Sequence, residues 1–145
     1  MIKLKVFNGL LGIAAAMLAF LAIIFVWANY IEKPYLSYEN LPFQVMTKPK
    51  AGEVVELLVE RCNNSKKTQS YNTSRAVLNL KTKEVTTMTD SRVSIEPGCH
   101  RGVSRLNKLP DKLPAGLYKI SGVALIQGSI LRFEVPWYSE SFEVE

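Results

Sequence analysis

Residues 9–28 read GLLGIAAAMLAFLAIIFVWA, twenty positions without a charged or strongly polar side chain. A hydrocarbon layer about 30 Å thick takes ~20 apolar residues at ~1.5 Å each. The run therefore predicts a transmembrane helix over 9–28 that stays uncut as a signal anchor. Lys3 and Lys5 precede it, and no acidic residue comes before Glu32. Positive charge on that flank predicts residues 1–8 in the cytoplasm and everything after the span outside. The expected location is the inner (cytoplasmic) membrane, single-pass, with the C-terminal part periplasmic or extracellular. Lys3, Lys5, Trp27 and Tyr30 are the expected membrane-interface residues, with lipid as a partner. Gly9, Gly12 and Ala16 offer small-residue spacing for helix pairing. The rival reading is a signal peptide cut after Val26-Trp27-Ala28, but the run is longer than the ~7–15 residues of a signal core.

Residues 29–41 (NYIEKPYLSYENL) form a polar and aromatic stalk on this reading. From 42 to 145 the pattern is β. Segments 43–47, 54–62, 71–80, 85–95, 116–127 and 129–144 are rich in Val, Ile, Thr, Tyr and Phe, and turn-forming sequences separate them. No helical stripe recurs there. Alternation puts Val55, Leu57 and Val59 on one face, and Tyr118, Ile120, Ala124 and Ile126 on another. It puts Ala76, Leu78 and Leu80 opposite Arg75, Val77 and Asn79. Leu131, Phe133, Val135 and Trp137 share a face, then the phase slips before Phe142 and Val144. A bulge near Pro136-Trp137-Tyr138 accounts for the slip, and Gly122 in mid-strand marks a bulge or a close contact. Six to seven strands at this spacing predict an all-β fold, a single antiparallel β-sandwich.

The stretch LPAGLYKISGVAL (113–125) resembles the late strand of immunoglobulin-like and fibronectin type III-like domains. There a Pro-Gly turn leads to a corner Tyr and an apolar alternation, which makes Tyr118 the corner residue. Two features depart from that pattern. Beyond residue 28 the single Trp is Trp137, near the end, and the Cys pair is displaced from the usual inter-sheet bridge. The layout is similar to membrane-anchored extracytoplasmic proteins of bacteria and their phages. It implies a non-enzymatic binding or scaffold domain in an envelope or phage-related assembly. Phage lysis regulation or superinfection exclusion is the alternative. A membrane-tethered metal chaperone stands behind both.

Cys62 and Cys99 predict one disulfide in an oxidising compartment, joining the end of the second strand to a loop after the fourth. A metal site from Cys62, Cys99 and His100 is the sharper alternative, but no CxC or CxxC occurs, and His100 reads as a solvated loop residue. No catalytic motif is present, so no catalytic residue, metal or cofactor is expected. Charge is uneven. Residues 61–112 hold 11 Lys plus Arg against 4 Asp plus Glu, net +7, in a chain of net +5. That basic middle fits an acidic protein partner, and self-association is open. Nucleic acid is not expected, because no aromatic platform interleaves with the charges. Arg101, Arg105, Trp137 and Tyr138 are the candidate partner contacts. SFEVE at the C-terminus is a candidate sheet edge.

Overall fold

The computed structural model describes residues 2–28 and 33–145, with backbone only at 2–8 and at 10. One helix and seven strands follow in order: α1 (Ile2–Val26), β1 (Leu36–Val45), β2 (Val54–Asn63), β3 (Gln69–Asn79), β4 (Val85–Ile95), β5 (Gly98–Lys108), β6 (Gly116–Gln127) and β7 (Arg132–Val144). They form two compact units. One holds α1 and residues 128–131; the other holds residues 34–127 and 132–145.

α1 forms because its run of Ala, Leu and Met contains good helix formers and no Pro. Leu11, Ile13, Met17, Phe20, Ile23 and Phe25 are all more than half exposed. The expectation of a membrane span over 9–28 is corrected here. Among the described residues no helix is long and apolar enough to cross a membrane. The single-pass inner-membrane placement falls with it. The side chains of Lys3 and Lys5, all of Tyr30, and stalk residues 29–32 lie outside the described residues.

The second unit is mostly β. Its seven strands form a mixed, curled sheet in the order β4-β3-β6-β7-β1-β2-β5. Two antiparallel ladders, β4-β3-β6-β7 and β1-β2-β5, meet at one parallel pairing, Phe43 with Ser139. Phe43, Val55, Leu57, Val77, Tyr118, Ile120 and Trp137 share one buried cluster drawn from both ladders. A smaller cluster gathers Leu36, Tyr71, Val93, Ile95, Ala124 and Ile126. The expected inward faces of β2 and β6 are the buried ones. Leu36 is 1% exposed, so β1 begins inside the expected stalk.

Three further expectations shift. In β3 the buried positions are Tyr71, Thr73, Arg75, Val77 and Asn79, the opposite phase to that read from Ala76, Leu78 and Leu80. Polar side chains face inward there because they find partners. Arg75 reaches carbonyls on two strands, and Asn79 Oδ1 accepts from the Lys81 and Thr82 amides at 2.9 and 3.0 Å to make the β3–β4 turn. The phase slip in β7 is real, but the register with β6 shifts between Lys119 and Ser121, opposite Tyr138 to Ser141, slightly after Trp137. β7 lies inside the strand order, but its one pairing with β1 is at Ser139 and SFEVE pairs with β6 alone; the ends of the order are β4 and β5. β5 itself covers residues that read as a loop.

Candidate binding surface

β5 pairs with β2 along its whole length and ends the strand order. All its residues are exposed except Ser104 and Asn107. A strand in that position carries unpaired amides and carbonyls along its free side. At one end that side is closed. Arg75, on β3, donates through Nη1 to the Leu106 carbonyl and through Nη2 to the Thr89 carbonyl of β4. It also donates to Asn107 Oδ1 at 3.3 Å. Burial lowers the Arg75 pKa, with Asp90 opposing the shift. From Gly98 to Arg105 no such clamp closes the edge among the described residues.

The register fixes what β5 displays. Arg101 stands beside Glu60 and Val103 beside Leu58, on the outer face of β2 opposite the buried Leu57 and Val59. Arg105 Nε donates to Glu56 Oε1 at 2.7 Å on that face. Lys108 Nζ lies 3.7 Å from Asp111. The strand GCHRGVSRLNK carries Arg101, Arg105 and Lys108 and no acid. Gly102 has open space where a Cβ would stand. Next to Arg101, β1 leaves the β2 ladder between Glu39 and Gln44. The detour carries the cis Leu41–Pro42 bond and Asn40 at φ 53°, with Asn40 Nδ2 donating to Glu60 Oε2 at 2.6 Å. It leaves a polar groove of about 370 Å³ bounded by Glu39, Pro42, Gln44, Leu58, Glu60 and Arg101.

The expected site residues separate. Arg101 and Arg105 share the β5 surface. Tyr138 is 40% exposed on β7, with Lys119 Nζ 4.1 Å over its ring. Trp137 is corrected: it is 6% exposed, lies against Phe43 and Tyr38, and donates from Nε1 to Thr73 Oγ1 at 3.3 Å. A side chain so enclosed does not meet a partner. Cys62 and Cys99 are joined by the disulfide, directly across the β2–β5 ladder rather than from strand to loop. Both sulfurs are thereby taken, which removes the thiolates a site with His100 would need. His100 is exposed, on β5, with Nε2 3.2 and 3.1 Å from the Glu96 and Pro97 carbonyls; that nitrogen carries the proton.

Sequence reasoning missed the inward polar row of β3 and its neighbours. Tyr38 Oη donates to Tyr71 Oη at 3.3 Å. The Tyr38 pKa is raised well above the usual tyrosine value by burial, then by Tyr71, with Arg61 opposing. The signal was present as Tyr71, Thr73 and Arg75 at a period of two, but polar residues at that period ordinarily mark the solvent face. No family model matches the chain, and no curated protein is detectably similar to it.

Proposed function

We propose that the chain is a non-enzymatic binding module, an immunoglobulin-like β-sandwich of fibronectin type III layout that takes an acidic, extended protein segment onto the free edge of β5. Two observations support the fold half of this reading. The strands fall into groups of three and four that share one core. Tyr118, 2% exposed, donates from Oη to the Pro114 carbonyl at 2.7 Å, the backward bond of a tyrosine corner.

The observation that carries the functional half is β5 itself: a single ladder partner, near-complete exposure, three cations and no acid. Strand addition draws affinity from main-chain hydrogen bonds and selectivity from alternate side chains. Here Arg101, Val103 and Arg105 alternate on the outer face, so a segment of alternating Glu and Val complements them. Lys and Arg on an edge also hold off indiscriminate pairing, which narrows the choice to segments that bring negative charge.

The test is a titration of the full chain with a fluorescent Glu-Val repeat peptide, followed by anisotropy. Binding is expected to weaken at least tenfold in the R101E/R105E double variant and to fall with added salt. A Lys-Val repeat is expected not to bind. Equal binding of both peptides, or equal binding by both proteins, contradicts the reading.

A further inference from the structure

A cavity of about 30 Å³ lies among the side chains of β1, β2, β3, β4, β5 and β7. It has room for one or two water-sized particles and no more. Its polar walls are Tyr38, Arg61, Tyr71, Thr73, Arg75, Trp137, Ser104 and Asn107, the last with its Oδ1 already taken by Arg75, and among the described residues no carboxylate lines it. Tyr71, Thr73 and Arg75 stand at alternate positions of β3 and share its buried face.

Hydrogen-bond accounting leaves this cavity rich in donors. Arg75 is 6% exposed; its two Nη atoms go to neutral oxygens, and its Nε is buried with no partner. Tyr71 Oη accepts from Tyr38 at 3.3 Å and from Arg61 Nη1 at 3.5 Å, so its own hydrogen is free to donate. Thr73 Oγ1 accepts from Trp137 Nε1, and its hydrogen is free in the same way. Three donors on one strand face thus lack an acceptor, and two guanidinium groups line the space. A water molecule brings as many donors as acceptors and no charge. An anion brings acceptors alone and offsets the buried cation.

We propose that this cavity is a binding site for one small monovalent anion of halide size, held by the Arg75 Nε–H and the Tyr71 and Thr73 hydroxyls, with Arg61 at its side. The site is independent of strand addition on β5, and its occupant ties β3 to the strands that Arg75 bridges.

The full chain is to be melted in sodium chloride, sodium bromide and sodium gluconate at equal ionic strength. Gluconate is too large to enter. Chloride and bromide are expected to raise the Tm by several degrees over gluconate. The 35Cl line of chloride is expected to broaden with protein and to sharpen when bromide is added. R75M removes the central donor, but it also removes the clamp on β4 and β5. R61Q and Y71F are therefore the second arm, each checked for folding by circular dichroism. At least a fivefold loss of chloride affinity is expected in both. Equal melting in chloride and gluconate with no 35Cl broadening would mean that water fills the space, and overturns the proposal. Undiminished broadening in folded R61Q and Y71F places the ion elsewhere and overturns it too.

Discussion

Gly122 shows how far one atom reaches in this core. A Cβ built there would lie 2.4 Å from the Trp137 ring, and that indole is held between Phe43, Tyr38 and its bond to Thr73. A rigid ring has no flexible end to move aside. Gly122→Ala is expected to cost about 1–3 kcal/mol in urea unfolding, the range for forced overpacking. Wild-type stability in that variant would show that the ring has room. Tyr38 sets an alkaline limit. Its folded pKa stands above the usual 10.0 because burial disfavours the phenolate, so the folded state keeps a proton that the unfolded chain releases. Its contribution is complete below pH 10 and is lost as pH rises beyond it. Melts from pH 8 to 11.5 are expected to show a fall in Tm above pH 10 that is shallower in Tyr38→Phe. Tyr35, raised by burial and by Tyr71, adds to the same slope. Identical profiles for the two proteins would remove Tyr38 from the account.

The strands differ in how plainly the chain announces them, and burial explains the difference. β2 and β6 each keep one wet and one dry face, so Val55, Leu57 and Val59, or Tyr118, Ile120, Ala124 and Ile126, stand out by alternation. β5 is wet on both faces, so GCHRGVSRLNK carries no period of two and reads as loop. β3 alternates, but with Thr73, Arg75 and Asn79 inward its phase inverts. β1 opens on Ser37, Glu39 and Asn40, which look like linker. The Cys pair was legible, and the element it reaches was not, since the loop expected at Cys99 is β5. That bridge fastens the edge strand to β2. Closing 37 residues stabilises by about 3–4 kcal/mol in the chain-entropy model. Dithiothreitol, or the Cys62→Ser/Cys99→Ser pair, is expected to lower stability by that amount and to loosen β5 first, seen as faster exchange of its amides. An unchanged midpoint on reduction would make the bridge incidental.

At the scale of the whole molecule, the second unit closes its core from both ladders and leaves β4 and β5 as edges. Arg75 spans from β3 to both of them, which explains why a buried cation is kept where a hydrocarbon would be simpler to bury. It clamps the edges near Thr89 and Leu106 and leaves β5 from Gly98 to Arg105 open on its outer side. Legibility ends at this point as well. Composition located a basic middle, but only the strand order shows that Arg101 and Arg105 sit on an unpaired edge and that Tyr138 and Trp137 part company. The central claim is that this edge receives another strand. Residue-resolved amide exchange of the full chain, with and without a saturating Glu-Val repeat peptide, tests it most directly. The account predicts new protection at alternate amides between Gly98 and Arg105, with the amides of β4 unchanged. Protection on β4 or on the β7 face around Tyr138, with β5 as open as before, would contradict it.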